Sequence, residues 1–197
     1  MLKLYGPKAA ERILRRYDGT IRAVAARYAL PAPFIDALLY TELVRIDLLD
    51  PLADAVVALN HRFGTALLGK RDSSTGFGQV FGFVAINAAN FAVSRGLTSY
   101  ASLGLPDRKL DPADSADVRL VWRRLNREPD FNIELSALNL LAAAEEVAGR
   151  MDFSGFTPDE IRRVYTRYNG TVPHITPYGE EAYRHYLRYA AAPRAKD

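Results

Sequence analysis

The chain contains no cysteine among its 197 residues. That excludes disulfides, thiolate metal sites and a cysteine nucleophile. Long apolar runs are also missing, because a charged or polar residue such as Arg, Asp or Asn interrupts each hydrophobic stretch within a few residues. None approaches the roughly 20 apolar residues of a membrane-spanning helix. The opening residues, Met1 to Glu11, lack the unbroken apolar core of a secretion signal. Alternating strand patterns are scarce, no segment repeats, and no linker divides the chain. The three histidines, His61, His174 and His185, are scattered and lack the His-Glu-x-x-His spacing of a zinc site. They read as surface or packing residues. Gly76, Gly78 and Gly82 have the wrong spacing for a dinucleotide fingerprint, and no strand precedes them. No metal and no cofactor are expected.

What is present is an ordinary globular composition, 49% hydrophobic and 25% charged, on a chain long enough for one domain with a real core. The net charge is +3. Arginines cluster at Arg12, Arg15 and Arg16, at Arg119, Arg123, Arg124 and Arg127, and at Arg162, Arg163 and Arg167. A basic excess favours polyanions, among them nucleic acid and anionic bacterial wall. Acidic residues are interleaved throughout, so these clusters read as solvated helix faces and no nucleic-acid partner is expected.

The hydrophobic period is helical almost everywhere. Ala9, Ile13, Leu14 and Tyr17 place an amphipathic helix over 8–17. A second helix is expected from Thr20 to Tyr28, a strongly apolar one from Phe34 to Ile46, and a fourth over 51–68 behind Pro51. The stretch Gly69-Lys-Arg-Asp-Ser-Ser-Thr-Gly-Phe-Gly-Gln79 then breaks all periodicity. Further helices are expected over Phe83–Ser94, 114–126 and 132–149, with a long surface connection over 96–112. Thr157-Pro-Asp-Glu160 forms a capping box that launches a helix to Tyr168, and a last helix covers Glu180–Ala191. The expected fold is all-α, a single domain over 1–197.

One carboxyl stands out. Glu42 lies late in the most apolar helix, with Leu38, Leu39 and Ile46 within a turn of it. Partial desolvation there is expected to raise its pKa. A protonated acid near neutral pH is what glycosidic cleavage requires, since the departing sugar oxygen must receive a proton. The same residue also reads as a helix-surface glutamate paired with Arg45 at i+3.

Ser74-Thr-Gly-Phe-Gly-Gln79 follows about 30 residues later and leads into Val80-Phe-Gly-Phe-Val-Ala-Ile. With the acidic helix before it, this loop resembles the lysozyme-like superfamily, particularly lytic transglycosylases of the SLT type and goose-type lysozymes. The resemblance extends upstream through Ile21-Arg-Ala-Val-Ala-Ala-Arg-Tyr-Ala-Leu-Pro and Phe34-Ile-Asp-Ala-Leu-Leu-Tyr-Thr-Glu. Downstream it takes in Phe131-Asn-Ile-Glu-Leu-Ser-Ala-Leu, Val164-Tyr-Thr-Arg-Tyr-Asn-Gly170 and Tyr178-Gly-Glu-Glu-Ala-Tyr. These short motifs occur in the family's order over roughly residues 20–190.

The resemblance implies a helical domain with a substrate cleft and at most a minimal β element. It implies cleavage of the bond between N-acetylmuramic acid and N-acetylglucosamine in peptidoglycan glycan strands, with Glu42 as general acid and base. Ser74, Gly76 and Gln79 would line the cleft, and Tyr168 and Asn169 would hold substrate near the acid. For Tyr168 a core aromatic, and for Asn169-Gly170 a helix C-terminal turn, are the alternatives. The chain departs from the family at Leu43, where Ser commonly follows the acid, and at Gly78, where Met is commoner.

Two chemistries stay open. A hydrolase needs a second carboxylate, about 6.5–9.5 Å from the acid in an inverting enzyme. Asp72 is the best candidate, with Asp47, Asp50 and Asp54 also beyond the acid. A lytic transglycosylase uses the muramic acid's own 6-hydroxyl and needs no such partner. The family also implies action outside the cytoplasm, in periplasm or wall, after leader removal or delivery by another route. A monomer is expected, and the short apolar runs predict no membrane insertion. The rival from a different class is a non-catalytic helical binding module.

Overall fold

The computed structural model describes residues 3–47, 49–63 and 72–192, apart from the side chains of Asp50 and Phe63. The described residues form nine helices and no sheet: α1 (Pro7–Arg16), α2 (Asp18–Arg27), α3 (Ala32–Arg45), α4 (Asp50–Phe63), α5 (Gly82–Ser94), α6 (Ser115–Arg127), α7 (Pro129–Ala148), α8 (Pro158–Asn169) and α9 (Pro177–Ala191). Two isolated antiparallel bridges, Lys3 with Asp47 and Thr75 with Val80, are the only β pairing among them. The all-α expectation holds.

Two helices form the inside of the molecule. In α3, Phe34, Ile35, Leu38, Leu39 and Leu43 are all buried. The helix is apolar almost all round, as a core helix must be. It packs against α9, α1, α2 and α7. The longest helix, α7, buries Phe131, Ile133, Leu135, Leu138, Leu140 and Leu141 and lies against α5, α8, α2 and α6. Each such side chain contributes about 1.5–3 kcal/mol on burial. The outer helices α1, α6 and α8 instead turn one apolar stripe inward.

Prolines and caps set the ends. Pro33 sits inside the first turn of α3 instead of before it, since its missing N–H is one the helix start leaves unused. For the same reason Pro129 and Pro177 begin α7 and α9 about three residues earlier than periodicity suggests. The capping box at α8 is formed in full: Glu160 N–H donates to Thr157 Oγ1 at 3.2 Å and Thr157 N–H to Glu160 Oε2 at 2.7 Å. Asp114 caps α6 by accepting from the Ala116 N–H at 2.8 Å. The expected continuation of α4 to Leu68, and Gly69 to Arg71 of the loop, lie outside the described residues.

The 96–112 connection departs from its expected surface course. Tyr100, Leu103, Leu105 and Leu110 are buried in the core. Asn90 of α5 holds it there, donating to the Leu110 carbonyl at 2.8 Å and accepting from the Tyr100 hydroxyl at 2.8 Å. The segment lacks helical period because its apolar residues answer to α5 and not to a helix of their own.

Candidate active site

Glu42 opens the last turn of α3 and is 7% exposed. The Tyr178 hydroxyl, on the first turn of α9, donates to its Oε1. Tyr178 is itself buried, and burial first, then the Glu42 charge, holds its hydroxyl proton on well above the usual phenol range. Tyr168, near the end of α8, is raised for the same two reasons in the same order. The carboxyl thus accepts from one tyrosine that keeps its proton, and its charge helps a second to keep its own. Arg45 pairs with Glu181 at 2.7 Å and lies over the Tyr178 ring at 5.2 Å. The guanidinium therefore braces the ring that serves Glu42.

Residues 72–81, the described part of the loop before α5, are held by hydrogen bonds to α4, α7 and α8. Thr75 and Val80 exchange backbone hydrogen bonds at 3.1 and 3.2 Å, closing a tight turn with Gly76 at φ 70° and Gln79 at φ 46°. Asn132 of α7, fully buried, accepts from the Gly78 N–H at 2.8 Å and donates to the Thr75 carbonyl at 3.0 Å. Asp54 of α4 accepts from the Ser73 and Thr75 hydroxyls, both at 2.7 Å. The Tyr168 hydroxyl donates to the Gly78 carbonyl at 2.7 Å. Within the turn, Ser74 Oγ donates to Gln79 Oε1 at 3.2 Å and Gln79 Nε2 to the Gly76 carbonyl at 2.9 Å. These bonds are all internal to the protein and fix the shape of the turn, the condition for precise positioning.

A cleft of about 830 Å³ opens over these elements. Glu42, Ser74, Gln79, Tyr168 and Asn169 all line it, although α3, the loop and α8 are remote in sequence. Asn169 is exposed at the end of α8. The helix does stop there, but Gly170 at φ 172° is extended, so a left-handed turn is not what its glycine supplies.

Two expected site residues lie elsewhere. Gly76 is not part of the cleft lining. A Cβ there would stand 2.1 Å from Asn132 Nδ2 and 2.7 Å from the Leu125 carbonyl, so this glycine lets the loop rest on α6 and α7 and not on a ligand. Asp72 is also outside the lining. Its carboxylate accepts the N–H groups of Ser73 at 2.9 Å, Gly82 at 2.9 Å and Phe83 at 3.0 Å. It therefore caps the open start of α5. Burial raises its pKa, against the lowering effect of those three amides and of His61. Asp54 is likewise committed to the loop. Among the other candidates only Asp47 lines the cleft; the Asp50 side chain lies outside the described residues.

Several lining residues lie beyond the expected site residues. Phe83, Asn87 and Phe91 present one face of α5, spaced four apart. Phe81 joins Phe83 at the rim, ring centroids 5.6 Å apart, both more than a third exposed. Asn139 and Glu146 come from α7, and Glu146 pairs with Arg167 at 2.7 Å. The signal available was a polar or exposed position recurring on an otherwise apolar helix.

Of the histidines, His185 packs edge-on to Tyr40 at 4.7 Å and hydrogen-bonds Thr41 Oγ1 at 2.8 Å. Burial lowers its pKa. His61 packs edge-on to Trp122 at 5.2 Å. Among the described residues no group of three or more His, Asp or Glu is placed to hold a metal. Fold and site define an all-helical domain with a buried carboxyl at the base of a polar–aromatic cleft. Compared with known protein families, curated proteins and solved structures, the chain matches none.

Proposed function

We propose that this protein cleaves the β-1,4 bond between N-acetylmuramic acid and N-acetylglucosamine in peptidoglycan, with Glu42 as general acid and then base. The observation that carries the reading is the convergence on one cleft of Glu42, Ser74, Gln79, Tyr168 and Asn169, the residues the lysozyme-like resemblance names. Burial limits the access of bulk water to the carboxyl, and a cleft of about 830 Å³ is large enough to hold sugar units. Phe81 and Phe83 offer aromatic faces to sugar rings at the rim.

In the favoured reaction Glu42 gives its proton to the glycosidic oxygen as the bond to the muramic acid C1 breaks. The resulting carboxylate then takes the proton of that sugar's 6-hydroxyl, whose oxygen bonds C1 and closes a 1,6-anhydro ring. The proton is returned and no water is consumed. A water-using muramidase needs a second carboxylate free to act as base. The engagement of Asp72 and Asp54 by the loop and by α5 favours the internal hydroxyl. Such a substrate implies action outside the cytoplasm.

Mass spectrometry of products from purified peptidoglycan tests the reading. Anhydro-muramic ends, one water lighter than reducing ends, are expected. Reducing ends would overturn the transglycosylase chemistry and leave the muramidase, with Asp47 the carboxylate to examine. Binding without any soluble product would favour the non-catalytic module.

A further inference from the structure

The outer face of α4 lies away from the cleft. Its inner side is spent: Val57 and Asn60 are buried, His61 packs on Trp122, and Asp54 holds the loop. The opposite side exposes Leu52 (60%) and Leu59 (48%), seven residues apart, with Leu49 (58%) three residues before Leu52. Their spacing puts Leu52 and Leu59 in one stripe of α4, and Leu49 stands exposed in the turn just before the helix. A single exposed leucine is ordinary, but a stripe on a helix already packed by its other side marks a contact surface.

Beside the stripe runs a row of positive charge. Arg119, Arg123 and Arg127 recur every four residues along α6. Arg123 and Arg127 are exposed, and no described carboxylate pairs with either. The nearest acid in sequence, Glu128, is taken by Arg124 at 2.7 Å. Leu59, Arg62, Arg123 and Arg127 line one groove of about 410 Å³ between α4 and α6. Apolar and cationic groups therefore meet on a single face.

We infer that this α4–α6 face docks on an anionic lipid bilayer, its leucines entering the acyl boundary and its arginines meeting the phosphates. Leucines on one side with cations beside them is the pattern of helices that lie in a membrane interface. No described helix is long and apolar enough to cross a membrane, so the association is peripheral. A nucleic acid would use the arginines and leave the leucine stripe in water. A second copy docked by the same face would offer these arginines no carboxylate from its own groove lining, since a two-fold interface brings the same patch from both copies. A bilayer with acidic headgroups satisfies both components. The inference is independent of the glycan-cleaving reading.

Co-sedimentation of the whole chain with vesicles tests it, using phosphatidylcholine alone and phosphatidylcholine mixed with phosphatidylglycerol. Binding to the mixed vesicles only, weakening as salt rises, is expected. Arg123→Gln and Arg127→Gln should each lower affinity about fivefold. Leu52→Asp with Leu59→Asp should abolish binding, with helical content by circular dichroism unchanged. Glu42→Gln should bind like the parent. No binding, equal binding to neutral vesicles, or binding untouched by both sets of variants would overturn the inference. So would capture of duplex DNA that the leucine variant retains, or a dimer in lipid-free buffer that it loses.

Discussion

A carboxyl that is to hand over a proton must be shielded from water while an oriented neighbour holds it in place. Glu42 is shielded by α3 and held by Tyr178. Removing that hydroxyl leaves a buried carboxyl short of a donor, a loss of about 1–3 kcal/mol. Tyr178→Phe should therefore lower stability by that order and slow glycan release about tenfold or more. Thermal melts and initial rates check it. A variant with unchanged rate and melting would mean the contact is idle. The burial of Glu42 was readable from sequence, because α3 is apolar on nearly every side. Its partner was not: Tyr178 stands 136 residues away, and no local period encodes that pairing.

At the scale of elements, the loop before α5 is shaped by the helices beneath it. A Cβ at Gly78 would lie 1.9 Å from Ser136 Oγ and 3.0 Å from the Tyr168 hydroxyl. That contact accounts for glycine at this position. Gly78→Ala should cost about 1–3 kcal/mol by overpacking, and Ser136→Gly should restore part of it. Melting of the single and double variants measures the coupling; no rescue would place the strain elsewhere. Asp72→Ala tests the neighbouring cap. It should cost about 0.5–2 kcal/mol of stability while the folded variant releases glycan at close to the parent rate. A fall of about 100-fold or more would instead make Asp72 a catalytic base. The loop itself was legible as a break in periodicity rich in glycine. What Asp72 and Gly76 do there was not, since their partners belong to α5, α6 and α7. The buried course of 96–112 was missed for the same reason: its leucines fit Asn90 and α5, a tertiary match with no sequence period.

For the whole molecule, the nine described helices followed from periodicity, while their mutual arrangement, and so the cleft, did not. Tyrosine reports on that arrangement. Burial raises Tyr165 and Tyr178 far above the usual phenol range and Tyr28 up to about 12. An unfolded chain releases these protons near pH 10, whereas the folded one keeps them. Above pH 10 the native state therefore binds more protons, and its stability falls as pH rises; below pH 10 this contribution is fully present. Melting temperature should drop steeply between about pH 10 and 12, with the buried tyrosines ionising only as the fold opens. Tyrosinate absorbance that follows a single simple titration, uncoupled from unfolding, would contradict the packing described.

The central claim is that Glu42 is the proton donor at the base of this cleft. Release of soluble muropeptides from purified peptidoglycan by Glu42→Gln, compared with the parent at equal folded concentration, tests it most directly. Gln keeps the shape and can still hydrogen-bond Tyr178, so the fold should persist while release falls by about 100- to 10,000-fold. Release at the parent rate by a folded Glu42→Gln variant would contradict the claim.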